Sequence, residues 1–236
     1  MMLARFITLI IAIVLAVPAL AAASLTPHTA VYKVKISVVS GQLNTELRRT
    51  PEGYIANHVI KPTGLSRLIT RGRMNVTAEF ASQSDGVLPV RFQSVDTIRD
   101  DPDVNLNFDW STNEVTGTVG EEDVLLQLDG VAHDNVSIQY ELMHDLLNGG
   151  PSEQYTLFDV DKLRVANVSI AGEREVKTRA GKYRAIGIQH QKEGSSRVTT
   201  LWCAEELNYL PVIIEQHRKG KLKFRASLVA YTPTQE

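Results

Sequence analysis

The chain has 236 residues, a formal net charge of −2 and a hydrophobic content of 43%. That length suits one large domain or two small ones, with room for a sizeable core. The near-neutral balance excludes a surface built around nucleic-acid phosphates, which is strongly basic, and the single cysteine, Cys203, excludes an intramolecular disulfide.

The first segment, Met1 to Arg5, ends on a positive charge. Phe6 to Val17 is apolar except for Thr8, Pro18 interrupts it, and Ala19-Leu20-Ala21-Ala22-Ala23 supplies small residues. This is the three-part secretory pattern. The apolar run is about twelve residues, whereas a spanning helix needs roughly 20. Residues 1–23 are therefore expected to be a signal peptide cleaved near Ala23, with Ala21 as the other site and an uncleaved anchor as the alternative. No cysteine follows the run, so lipid attachment is not supported. No later stretch approaches spanning length, so the expected product is a soluble periplasmic protein.

Period-two alternation dominates the rest. Tyr32, Val34, Ile36 and Val38 fall on one face, as do Val104, Leu106, Phe108 and Trp110. Such runs are half-buried antiparallel strands. Further strand runs lie near 42–49, 53–60, 72–82, 88–98, 113–119, 123–128, 154–159, 162–170, 182–191, 196–203, 209–217 and 221–231. Turn signals such as Pro51-Glu52-Gly53, Ser84-Asp85-Gly86, Ala180-Gly181 and Arg218-Lys219-Gly220 separate them.

One segment breaks the alternation. From Asp134 to Leu147, Val136, Tyr140, Met143 and Leu147 form one apolar stripe and Ile138, Leu142 and Leu146 a second. This predicts a helix buried over much of its circumference. Asp134 is its expected N-cap, answered by Ser137, and Asn148-Gly149-Gly150-Pro151 its stop. The expected fold is mainly β: an antiparallel meander forming a curved half-barrel, barrel or sandwich, with one central helix at about 134–147. Residues 24–236 read as a single β-rich domain, its two β halves flanking the helix.

Chemical motifs are weak. Asp101-Pro102-Asp103-Val104-Asn105 begins like a calcium loop, but Leu106 and Thr112 occupy the positions that need Gly and Glu, so it reads as an acidic turn. Glu141 and His144 share a helix face, but there is no His-x-x-x-His pair, and they read as a solvated polar stripe. Gly64-Leu65-Ser66 and Gly194-Ser195-Ser196 do not complete a nucleophile elbow. No glycine-rich phosphate loop is present, and no metal site or cofactor is expected. Cys203, in a strand-like run, reads as a small buried hydrophobe.

The most distinctive charged stretch is Lys61 to Arg73. There Arg67, Arg71 and Arg73 interleave with Leu65, Leu68 and Ile69. Either it is a connecting turn with ordinary solvated arginines, or it meets anionic lipid headgroups or an acidic protein surface. Arg67, Arg71, Arg73, Leu65 and Leu68 are the candidate binding residues.

Several segments together resemble a bacterial exported family catalogued as domain of unknown function 3108. They are Asp134-Asn135-Val136-Ser137, Gly172-Glu173, Thr178 to Ala185 with its Ala180-Gly181-Lys182-Tyr183 turn, Trp202, and Leu210-Pro211-Val212. Gly64-Leu65 and Leu88-Pro89 also fit, and the resemblance spans nearly all of the chain after residue 23. It implies a Gram-negative periplasmic β-rich protein and brings no catalytic residues. Structural roles suit the matching positions: Gly181 in a hairpin, Pro211 at a strand start, Trp202 as a core anchor.

The leading expectation is a non-enzymatic protein that holds a hydrophobic or lipid-like ligand in a trough of a curved sheet. The alternative is an envelope module that binds another protein through a sheet edge or the 61–73 loop. A hydrolase is the minor alternative.

Overall fold

The computed structural model describes residues 24–37, 39–159 and 162–234. The expected leader, residues 1–23, lies outside them, as does Val38. The first eight strands are β1 (His28–Ile36), β2 (Val39–Thr50), β3 (Gly53–Pro62), β4 (Met74–Gln83), β5 (Gly86–Asp96), β6 (Asp101–Asp109), β7 (Glu114–Val119) and β8 (Glu122–Gln127). A short helix α1 (Ser66–Ile69) sits between β3 and β4. A two-residue strand β9 (Ala132–His133) leads into helix α2 (Ser137–Leu147). Then follow β10 (Gln154–Asp159), β11 (Lys162–Lys177), β12 (Lys182–Lys192), β13 (Arg197–Ala204), β14 (Leu210–Arg218) and β15 (Lys221–Pro233).

All fifteen strands belong to one sheet, in the order β8-β7-β6-β5-β4-β3-β2-β1-β15-β14-β13-β12-β11-β10-β9. The pairings are antiparallel except β9 with β10. Among the described residues the fold is the expected antiparallel meander with one substantial helix. Its two β halves are joined where the first strand meets the last: Tyr32 opposes Leu228 and Val34 opposes Ala226. The sheet edges, β8 and β9, therefore lie in the middle of the sequence.

Two local differences from the sequence reading have physical reasons. β11 continues to Lys177 rather than ending near 170. A register irregularity between Ile170 and Gly172 reverses the side-chain parity. The residues beyond it, from Ala171 to Glu175, are exposed, so no apolar alternation marks them. The acidic stretch Asp101–Asp103 opens β6 rather than forming a turn. The turn is Thr97–Asp100, and Arg99 closes it by pairing with Asp96 at 2.7 Å and Asp101 at 2.8 Å.

Helix α2 starts at Ser137, one turn later than the pattern suggests, but the expected cap is present. The Asp134 carboxylate accepts from the backbone N–H of Val136 at 2.7 Å and of Ser137 at 2.8 Å, and Ser137 Oγ accepts from the Asp134 N–H at 3.0 Å. This reciprocal pattern satisfies N–H groups that a helix start otherwise leaves orphaned.

The helix separates two apolar clusters. Val136, Tyr140 and Met143 join the larger one, which runs over β1 to β7 and continues through Val176, Ala185, Leu210 and Leu228 of the C-terminal strands. Ile138 and Leu142 join a smaller one with Ala166, Val168, Ile188, Leu201 and Cys203. β10 divides in the same way, sending Phe158 to the larger cluster and Tyr155 and Leu157 to the smaller. The two stripes read from the helix sequence thus correspond to two cores, one on each side of an internal wall made of α2 and β10.

Candidate binding trough

The inner face of the N-terminal half is organised in cross-strand rows, because antiparallel register places every second residue on the same side. One row is Leu47, Ala56, Ala78, Phe92 and Leu106. The next runs Thr45, His58, Val76, Ser94, Val104 and Val119, and the next Leu43, Ile60, Met74 and Asp96. Below the first of these rows the face is filled. Tyr140 of α2 stacks on Phe80 with ring centroids 5.1 Å apart, and Phe80 stacks on Tyr54 at 5.7 Å. The Tyr54 hydroxyl donates to the Leu25 carbonyl at 2.9 Å.

The two upper rows have no such plug. They line a cavity of about 500 Å³, closed on the far side by Val136 and Phe158 from the wall. Its lining is predominantly apolar: Leu43, Ile60, Met74, Val76, Phe92, Val104 and Val119 come from six successive strands. That volume falls within the roughly 300–1,000 Å³ of ligand pockets, and an apolar lining with few polar groups is their usual composition.

The polar groups are placed at two ends. At the inner end, His58 Nε2 lies 3.5 Å from the Tyr140 hydroxyl. Burial, with a smaller contribution from His28, lowers the His58 pKa to about 4, so the imidazole is neutral at pH 7. At the rim, Asp96, Arg99 and Asp101 form the ion-paired turn described above. Burial opposes ionisation of Asp96, but the Arg99 guanidinium and the N–H groups of Ile98 and Arg99 outweigh it and hold its pKa low. Asp134 also lines the cavity. Burial raises its pKa against the bonds it accepts at the helix start.

The 61–73 segment meets the turn at this rim through Arg73. Arg73 N–H donates to Thr97 Oγ1 at 3.0 Å, and Thr97 N–H donates to the Arg73 carbonyl at 3.0 Å. The segment is tied to the sheet by Ser66, whose buried Oγ accepts from the Ser40 N–H at 2.8 Å. Leu65 and Leu68 are each 80% exposed and Ile69 is 73% exposed. Arg67, Arg71 and Arg73 are exposed too, and Arg67 Nε donates to the Pro62 carbonyl at 3.3 Å. These five candidates form a projecting tip and do not line the trough.

The expected solvated stripe on α2 is a buried one. Glu141 and His144 are 8% and 3% exposed. Glu141 accepts from the Val87 N–H at 2.5 Å, and glycine suits position 86 beside it because the backbone there has φ +148° and a Cβ would lie 2.7 Å from Glu141 Oε1. Burial raises the Glu141 pKa to about 7 against that hydrogen bond, with Asp145 and Asp85 adding to the rise. The sequence pattern misplaces this pair because a helix used as an internal wall has no wet face over that span. Cys203 is buried in the smaller cluster, and burial pushes its thiol pKa up. Trp202 is half-buried beneath the Arg174 guanidinium, 3.6 Å above its ring, and donates to Glu215 at 3.3 Å. It therefore anchors a charged cluster as well as packing against the core.

The trough residues were not singled out by motif. His58 is one of several scattered histidines in the sequence, and Ile60, Met74, Val76 and Val104 look like any other core-facing strand residues. Their shared row becomes visible only when hairpin register is known.

An open antiparallel sheet backed by an internal helix, with an apolar trough on one inner face, defines a β-barrel-like protein. The solved structures include a close match in shape, a "Beta-barrel-like Protein of Domain of Unknown Function DUF1849 from Brucella abortus", with a TM-score of 0.62 at 14% identity. The match covers 91% of this chain and 100% of that one. The family model described as "Protein of unknown function (DUF3108)" matches residues 28–225, and the chain belongs to that family. No curated protein matches the chain.

Proposed function

We propose that this protein is a non-enzymatic, soluble periplasmic carrier that binds a hydrophobic or lipid-like molecule in the trough. The observation that carries this reading is the 500 Å³ apolar cavity between the two upper rows and the wall. Export is supported by the pattern of residues 1–23. Among the described residues no helix is long and apolar enough to cross a membrane.

The test is native mass spectrometry of the protein recovered from a bacterial envelope, paired with intact-mass measurement. The expected result is a chain starting near Ser24 that carries a non-covalent apolar adduct lost on organic extraction. A chain that still begins at Met1 would refute export by a cleaved leader. A protein that carries no adduct and takes up no apolar probe would refute the carrier reading.

A second reading is favoured by one observation, the projecting tip. Three large apolar side chains beside three arginines form a surface suited to an acidic partner in the envelope. The triple substitution of Arg67, Arg71 and Arg73 to Glu tests it by pull-down. Loss of a specific partner supports the reading, and unchanged recovery dismisses the tip's role. These substitutions are expected to change stability by less than about 0.5 kcal/mol, since exposed side chains seldom contribute more.

A further inference from the structure

On the other side of the wall lies a second cavity, of about 530 Å³, with the opposite chemistry. Its lining includes Arg164, Lys192, Arg197 and Arg218 against only two acids, Asp159 and Glu193. Asp159 is already committed: it lies 3.0 Å from Arg164 Nε and 2.9 Å from Lys192 Nζ. The Arg164 contact is an ion pair without hydrogen-bond alignment, which leaves that buried N–H without an acceptor.

Arg197 and Arg218 are the more telling pair. They oppose each other directly across β13 and β14, and neither has an acidic partner among the described residues. Like charges at directly opposed positions destabilise a sheet. Sheet stability therefore gives no reason for the pair, whereas an anion placed between them does.

The basin and the trough are neighbours. Asn135, just ahead of α2, lines both. Phe158 lines the trough and Asp159 the basin, and these are consecutive residues of β10 facing opposite sides of the wall. We infer that the two cavities form one site for an anionic amphiphile. Its acyl chain lies in the trough and its carboxylate or phosphate head reaches past Asn135 to Arg197 and Arg218. This rests on the carrier reading above and specifies the class of ligand.

The experiment is calorimetric titration of the full chain, below micellar concentration, with palmitate, hexadecyl phosphate and uncharged methyl palmitate. Three proteins are compared: wild type, Arg197→Glu with Arg218→Glu, and Val104→Trp, which fills the trough. Met74→Trp repeats the filling test at a second half-buried position in case Val104→Trp fails to fold. Expected are tighter binding of both anions than of the ester and a loss of about tenfold or more in anion affinity in the arginine double variant. Ester binding should stay unchanged in that variant, and all three ligands should weaken in the filled variant. The tighter of the two anions identifies the head as carboxylate or phosphate. Equal binding of anions and ester, indifferent to the arginine changes, overturns the inference and leaves the carrier reading standing. Anion binding that needs the arginines but ignores trough filling overturns the single-site arrangement. No binding of any ligand to the wild type overturns the carrier reading and the inference together.

Discussion

The two halves of the sheet use the same alternation to different ends. In the C-terminal half, Ile138 and Leu142 of α2 are packed into Val168, Ile188 and Leu201, and the inner face is filled up to the polar basin. In the N-terminal half, Tyr140 fills only one end, and the rows from His58 to Ile60 stay open. One helix thus plugs one face almost fully and the other only in part. The contrast shows that the helix's position along the strands, rather than strand composition, decides where a curved sheet keeps a cavity.

The most severe way to break this contrast is to remove the partial plug. Tyr140→Ala deletes a fully buried ring that stacks on Phe80. It is expected to cost about 3–5 kcal/mol, as truncations of large buried aromatics do. Denaturant unfolding checks it, and Tyr140→Phe, which keeps the ring, should recover most of the loss. If Tyr140→Ala lost no more than a surface substitution, the plug would not be holding the N-terminal face.

A milder change acts on the wall itself. Asp134→Ala removes the acceptor for the Val136 and Ser137 N–H groups and should cost about 0.5–2 kcal/mol. Asp134→Asn keeps an acceptor and relieves a buried carboxylate whose pKa is raised, so it should cost less. Equal losses in the two variants would contradict this account of the cap.

The smallest effects concern pH, where the trough and the wall oppose each other. Burial lowers the pKa of His58 and of His133 to about 4. Folding then favours their neutral forms, so their contribution is present above the ordinary value of 6.5 and drains away as pH falls from 6.5 to about 4. Glu141 runs the other way. Its contribution is present below the ordinary value of 4.5 and is lost as pH rises from there through about 7. As pH rises from about 5 to 8, wild type should lose stability relative to Glu141→Gln. Urea midpoints measured across that interval decide the point, and parallel curves for the two proteins would exclude Glu141 as the cause.

Much of the fold could be read in the sequence. Alternation located the strands, and the double stripe from Val136 to Leu147 located the helix and implied its deep burial. The capping role of Asp134 was also legible, because Asp and Ser three apart before an apolar run carry a local hydrogen-bonding signature. The trough was not legible. Val76 and Val104 are separated by 28 positions in number but sit one strand apart on either side of Ser94, a relation set by hairpin register. The basin was hidden for the same reason: Arg197 and Arg218 are 21 positions apart and face each other only through the register of β13 on β14, whose connection carries the left-handed residues Asn208 and Tyr209. The solvated reading of Glu141 and His144 failed because polarity in sequence does not reveal that both sides of a helix are covered.

The meeting of β1 with β15 imposes an order on synthesis and folding. β1 is the first strand of the described chain and β15 the last, so one side of β1 stays without a partner until residue 221 onward has emerged. Through that interval the strand carrying Tyr32 and Val34 offers free N–H and C=O groups to any neighbouring chain. A chain truncated after Gly220 retains that exposed edge permanently and should aggregate, whereas the full-length chain should not, as light scattering during refolding would show. The seam that unites the two halves is thus also the step on which escape from misassembly depends.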